Sequence, residues 1–561
     1  MLLHRIVNRL ASKYTYTFCL FWIVTFILYL PAAKAGFVSD TTGWFQSLTE
    51  HSFIDYINRN RFAVKSMYQL TQFNTWVIYK IIGTSHWGWH LVHVTLHAWV
   101  CSLLYKWCSR LFEDSGLEKP YLPALAGALL FCISPYASEV VVWEASFHYL
   151  QALLFIFGIL LLVQRFQRQP AARYALGAGC LFFLSTFTHE LFYLTPLLTL
   201  GLIIYYRLAV HKNTVLFKRS ILFFTIPQAA CFIVHLLLFR VVYGGGIAHL
   251  GDQFFKNPPG YFLVKPPWCF FHVWAWGRFL PPVIRKAVYD MFRTPGGAIA
   301  FYGLLALICT GIVIRFRKMS IKGRLISYLF ICLLMAQAIL MPLWFPEDLL
   351  LLGDRYLYLM LAFHAMLLSL LLCSVRRAWL QQGLWLLCAC ISVYWTLNLS
   401  KKWQESEQII SSIQTSPAIK PGKVKLVLNT PACLQGVPMI GATPEGEFRL
   451  MHNLFYQPRI GDRLLEVVAY NMITPDDGAH VEVVNDSTLK VTRNQFDTRW
   501  WRNGNSEAVS YENEWYRFAP QEPGNWYYLI LKKPAASYDL LYQKGKDIKV
   551  VDMAIRGNEQ Y

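Results

Sequence analysis

Four short sets of residues carry the polar chemistry of an otherwise apolar region: Asp40 in Ser-Asp-Thr-Thr-Gly-Trp, Glu139 and Glu144 on either side of Trp143, the pair His189-Glu190, and the run Asp354-Arg355-Tyr356. A carboxylate is ionised at neutral pH and can take a proton from a hydroxyl; a guanidinium offers a fork of donors to an anion and keeps its charge in a dry site. Each set also has a plainer reading. The two glutamates would solvate a tight loop, Asp354 and Arg355 would form a local ion pair, and His189 would sit at an interface. Ionisable groups beside lipid are costly and usually functional, and the joint placement of all four sets at span ends on one face supports a shared cavity.

The elements that must position them follow from composition. The 561 residues are 55% hydrophobic, 16% aromatic and 15% charged, with mean hydropathy +0.35. A charged fraction so far below that of soluble domains, with recurring apolar runs of about 20 residues, excludes a soluble enzyme and predicts a polytopic α-helical membrane protein. Eleven spans are expected, at 14–31, 87–105, 121–138, 145–164, 174–188, 191–206, 220–242, 296–314, 325–345, 355–374 and 378–398. The N-terminal run also imitates a signal peptide, ending in Ala33-Lys34-Ala35, and is read as a retained first span.

The formal charge of +19 raises the question of a polyanionic partner. Twenty basic residues, from Arg5, Arg9 and Lys13 through Arg315–Arg324 to Arg376 and Arg377, fall between alternate spans with only Glu113, Asp114 and Glu118 opposing them. The positive-inside rule then places the N-terminus in the cytoplasm and the C-terminus outside, and no nucleic acid is needed to explain the charge. All four polar sets emerge on the outer face. Extracytoplasmic loops are expected at 32–86 and 243–295. The second loop carries Lys256, Lys265, Arg278 and Arg285 among Trp268, Trp274 and Trp276, the composition of a headgroup belt or a lipid-phosphate site. Its apolar stretch Pro266–Ile284 is read as interfacial or re-entrant.

His90, His93 and His97 share one helical face at i, i+3 and i+7, and hydrogen bonding inside the bundle is their expected role; no metal or other cofactor is expected. Twelve of the 13 cysteines lie in or beside apolar segments, leaving Cys433 alone in the C-terminal part, so a disulfide framework is excluded there. From about residue 400 charges become frequent and turn signals appear. Lys423–Leu428, His480–Val484, Leu489–Thr492 and Trp526–Leu531 read as strands, with Asn485-Asp486 as a hairpin turn. The expected organisation is a membrane domain over 1–399 and an extracytoplasmic α+β domain over 400–561.

Four patches in order resemble a family. Gly88–Ala98, GWHLVHVTLHA, is similar to the "GYHLVNLLLHA" pattern of GT-C superfamily glycosyltransferases, in particular the membrane half of the TMTC-type O-mannosyltransferases and their bacterial relatives. Phe131–Trp143, FCISPYASEVVVW, resembles their "FALHPVHTEAVAW"; Thr188-His189-Glu190 falls where they have "SKE"; and DRYLYL from Asp354 resembles "ERYLYLP". Ser134 and Ala137 replace both histidines of the second patch, Met360 replaces the final proline, and the first-loop acid is the single Asp40.

The resemblance implies a sugar transferred from a polyprenyl-phosphate donor to an acceptor hydroxyl on a protein, glycan or lipid, by inversion. It implies Asp40 as the base, Arg355 with Arg278 and Lys265 on the donor phosphate, and Glu139, His189, Glu190, Asp354, Tyr356, His90 and His97 orienting sugar or acceptor. Two alternatives stay open: a ligase or polymerase moving a whole glycan from a polyprenyl diphosphate, and a transporter of lipid-linked sugars. The expected location is a bacterial inner membrane, because the outer domain lacks disulfides.

Overall fold

The computed structural model describes residues 14–63, 66–244, 259–343, 353–440, 446–456, 458–460, 463–493, 510–521 and 526–554. Arg5, Arg9, Lys13 and Lys256 of the sequence reading lie outside them. The chain divides into two units. The first comprises Met1–Leu30, Ser52–Trp344 and Asp354–Leu397, and the second Pro31–His51, Phe345–Gly353 and Asn398–Tyr561.

The first unit is helical. Among the described residues seven helices are long and apolar enough to cross a membrane, and eight if the bent pair Tyr121–Cys132 and Pro135–Val142 is one span. This is a multi-pass membrane protein. The elements used below are α1 (Tyr14–Tyr29), α2 (His86–Asp114), α3 (Tyr121–Cys132), α4 (Phe147–Arg168), α5 (Pro259–Trp274) and α6 (Tyr358–Leu372). Three of the eleven expected spans lie outside these eight. The 87–105 span belongs to the 29-residue α2, whose four histidines lower its hydropathy; the 174–188 span is the 14-residue helix Ala172–Ser185; and the 325–345 span overlaps the helix Ile321–Leu343, which is not one of the seven. His189 and Glu190 fall in the turn between Ala172–Ser185, which packs chiefly on α4, and Thr195–Tyr205, so the expected hairpin turn is present without the two helices pairing.

Side-chain contacts tie the basic segments together at one end of this unit. Arg168 at the end of α4 bonds Asp114 at the end of α2, at 2.7 Å. Tyr205 meets Ser115, Arg324 donates to the Ala209 carbonyl, and Lys322 donates to that of Cys373. An apolar bundle concentrates charge where its helices end, because only there can ions keep their water.

Two backbone features shape the opposite end. After α3 the chain bends by 55° at Pro135, which lacks the N–H that would continue the helix. After α5 it reverses through Trp276, held at φ 47°, and Gly277, where a Cβ would lie 2.9 Å from Phe271 and 3.0 Å from the His272 Cα. A left-handed residue followed by an obligatory glycine sends Arg278 back toward α5. The stretch expected to be interfacial or re-entrant is therefore a helix, a tight turn and the amphipathic helix Pro282–Arg293.

Among the described residues the second unit holds three sheets. In one, Val424–Val427 runs parallel to both Leu464–Glu466 and Tyr538–Lys544, and Asp547–Val550 closes that edge. The five-stranded antiparallel sheet has the order His480–Asn485, Thr488–Thr492, Trp526–Leu531, Tyr516–Gln521, Tyr511–Glu512. All four expected strands are present within about two residues. The hairpin turn falls on Asp486-Ser487, one residue later than expected, closed by Asn485 opposite Thr488. Leu426, Leu428, Val481, Val491, Tyr527, Leu529 and Leu540 share one core.

The unit also takes in Pro31–His51, which the sequence reading placed in the first outer loop. Glu407 accepts the Gly36 N–H at 2.7 Å, and Phe37 packs against Phe455 with ring centroids 5.4 Å apart.

Candidate functional site

The bend after α3 turns Glu139 into the bundle, where it is 1% exposed. Its carboxylate accepts from Arg355 Nη1 at 2.9 Å and from the backbone N–H groups of Asp354 and Arg355 at 3.2 and 3.4 Å. Three donors on one buried carboxylate satisfy its oxygens and fix the start of the Asp354–Leu357 turn. Arg355 is clamped by more than charge, because its guanidinium carbon lies 4.7 Å from the Trp143 ring centroid and 4.6 Å from that of Tyr356. Nη2 donates to the Tyr356 hydroxyl at 3.3 Å. The Arg355 side chain is still 18% exposed, against 1% for Glu139.

Asp354 turns the other way. It pairs with Arg278 and accepts from His272 Nε2 at 3.0 Å, in a group whose side chains are all 2% exposed or less. Burial, with the nearby Arg278 and Arg285 charges, holds the His272 imidazole well below its ordinary pKa. It is therefore neutral and donates through Nε2–H. Tyr136 donates to the His272 carbonyl. Asp354 and Arg355 thus form no local ion pair with each other; each is neutralised by a different, distant partner.

A second polar group joins the first through aromatic rings. Tyr149 packs on Tyr356 at 6.0 Å and on His189 at 4.6 Å, and His189 stacks on His148 at 4.5 Å. Glu190 accepts from the Tyr68 hydroxyl and lies 3.6 Å from His189 Nε2. Its charge and its burial push the Tyr68 phenol well above the usual range, burial being the larger cause.

The structure therefore brings together Glu139, Asp354, Arg355, Tyr356, Arg278, His189 and Glu190. Arg278, expected on a phosphate, is instead committed to Asp354 in a buried pair, which a ligand could engage only by leaving Asp354 uncompensated. Lys265 lies two turns before His272 on α5 and is 7% exposed, and burial pushes its ammonium down to about 7. His90 and His97 stand apart from the cluster. His90 packs against Trp87, His93 bonds the Val140 carbonyl at 2.9 Å, and His97 meets Tyr358 at 2.6 Å. Asp40 belongs to the second unit, exposed in the first turn of the helix Asp40–Glu50 and preceded by Ser39 at φ 49°.

Sequence reasoning did not single out His272, Tyr68, Tyr149 or His148. His272 had a signal, a lone imidazole in an apolar aromatic run; the tyrosines are unremarkable among 31.

Three solved structures of an Archaeoglobus fulgidus oligosaccharyltransferase are similar to this chain. The form with Zn and sulfate has 12% identity over 70% of this chain (TM-score 0.38), and the apo form 11% over 72% (TM-score 0.40). The third, AglB with an inhibitory peptide and a dolichol-phosphate, has 11% identity over 72% (TM-score 0.35). This chain spans 55–58% of the length of those chains. No family model and no curated protein matches it.

Proposed function

We propose that this chain is a GT-C-type membrane glycosyltransferase that moves a sugar from a polyprenyl-phosphate carrier to an acceptor hydroxyl on the extracytoplasmic face. The observation that carries the reading is Arg355. Glu139 fixes it from behind and two aromatic rings flank it, while its side chain stays partly exposed. A guanidinium has five N–H groups; Glu139 and Tyr356 take one each, and the others remain for an anion. A cation preset in this way stabilises a leaving phosphate without reorganising, which is where electrostatic catalysis gains most.

In this reading the polyprenyl phosphate departs toward Arg355, assisted by Lys265. Tyr68, His189 and Glu190 offer donors and acceptors suited to sugar hydroxyls. Arg278, His272 and Asp354 hold the Arg355 turn in place. Asp40 keeps the role of base inferred from the resemblance, with inversion at the anomeric carbon. The eleven-span topology with the basic end in the cytoplasm, the acceptor-facing C-terminal domain and the bacterial inner membrane belong to the same proposal. It draws on the basic end of the helical unit and on the polar cluster at its other end.

The test is a transfer assay with purified full-length protein and a radiolabelled polyprenyl-phosphate monosaccharide. Label in the acceptor with release of polyprenyl phosphate is the expected result. Transfer only of a preassembled glycan from the diphosphate, or movement of label across a vesicle without a new bond, would overturn it.

A further inference from the structure

Below the polar cluster, three potential metal ligands meet inside the helical bundle. His97 and Cys101 are one turn apart on α2 and share a face; Cys132 ends α3 just before the bend. All three are fully buried, and one ligand atom from each lies within 4.8 Å of the other two. We propose that His97, Cys101 and Cys132 form a zinc site that pins α2, α3 and α6 together.

The geometry fits zinc. Tetrahedral zinc with bonds of about 2.3 Å to sulfur and about 2.0 Å to nitrogen has N···S edges of roughly 3.5 Å. Cys101 Sγ lies 3.6 Å from His97 Nε2. Small side-chain rotations, with His97 Nε2 releasing the Cys132 carbonyl 3.3 Å away, would close the two edges to Cys132, and α1 supplies a fourth donor atom, because Thr25 Oγ1 lies 3.2 Å from Cys132 Sγ.

The environment fits as well. The other imidazole nitrogen, Nδ1, is bonded to the Tyr358 hydroxyl at 2.6 Å, the outer contact that fixes the orientation of a ligating histidine. Charge balance favours zinc over copper(I). Two thiolates and a neutral imidazole around a divalent ion sum to zero, which an apolar bundle tolerates; a monovalent ion would leave one uncompensated negative charge. Binding releases both thiol protons to solvent as the chain folds around the ion, with no change of oxidation state. Because Tyr358 follows Arg355 by three residues, the bound ion would also fix the depth of the turn that carries Arg355.

Full-length protein purified in detergent and passed over a chelating resin is expected to retain one equivalent of zinc. After exchange, cobalt(II) should give thiolate charge-transfer bands and the visible bands of a tetrahedral ion. Cys101→Ser and Cys132→Ser should each lose the charge-transfer intensity of one thiolate and bind zinc at least tenfold more weakly. Cys108→Ser, at a buried cysteine two turns from Cys101, should keep both metal and spectrum and so reports on misfolding. Substoichiometric metal in the wild type, retention equal to Cys108→Ser in the cluster variants, or a Cys101–Cys132 disulfide by mass after alkylation would each overturn the proposal.

Discussion

The pair Glu139–Arg355 yields the sharpest prediction. In Glu139→Gln the amide oxygen replaces one acceptor, but its NH2 group faces a donor, either the Arg355 guanidinium or the backbone N–H of Asp354 and Arg355. Leaving one member of a buried pair uncompensated costs roughly 3–5 kcal/mol. The Arg355 side chain is 18% exposed, so water recovers part of that. About 2–3 kcal/mol remains, a loss of roughly 30- to 150-fold in kcat/KM for the lipid-phosphate donor. If Glu139 acts only by holding Arg355, the effect must vanish once Arg355 is gone. Arg355→Ala and the double variant should then agree within about threefold. The double variant should also melt higher than Arg355→Ala alone, because no buried carboxylate is left unpaired. Donor kinetics on the four proteins provide the cycle. Losses that multiply in the double variant would show that Glu139 contacts substrate on its own account, and the clamp reasoning would be wrong.

Three further outcomes are expected. With its ammonium near 7, Lys265 loses charge as pH rises, so donor KM should climb about tenfold between pH 6 and 8.5 and flatten in Lys265→Arg, which stays charged; an unchanged profile in that variant would remove Lys265 from the phosphate site. Asp40→Asn should reduce transfer at least a hundredfold with donor binding kept, and full activity would end its role as base. In the second unit burial pushes the Glu466 carboxyl up to about 8. The unfolded chain releases this proton near 4.5 and the folded one only near 8, so stability should fall as pH rises through that window, by up to about 1.4 kcal/mol per pH unit. Thermal melts of Glu466→Gln should lack this slope, and a slope equal to wild type would refute the assignment.

Hydropathy is a local property, so seven of the expected spans, and an eighth as a bent pair, could be read along the chain to within a few residues, as could the alternating strands His480–Asn485 and Trp526–Leu531. The same logic marked Glu139, His189, Glu190 and Asp354-Arg355, because a charged group beside an apolar run stands out without knowledge of its neighbours. What each residue does was not legible. Arg278 reads as an available cation in a basic loop until its pairing with Asp354, 76 residues away, is seen. His97 reads as one of three histidines until Cys132 and Tyr358 close around it from other helices.

The sequence by itself determined that the chain inhabits a membrane, where most of its long apolar helices and four of its strands lie, and which polar residues cannot rest in lipid. Tertiary structure alone decided the partners: Glu139 for Arg355 across 216 positions, His272 for Asp354, and Pro31–His51 for the second unit. The physical reason is that the cost of burying a polar group is set by the residue, whereas its compensation comes from whichever atom helix packing brings within 3 Å, and sequence distance places no constraint on that.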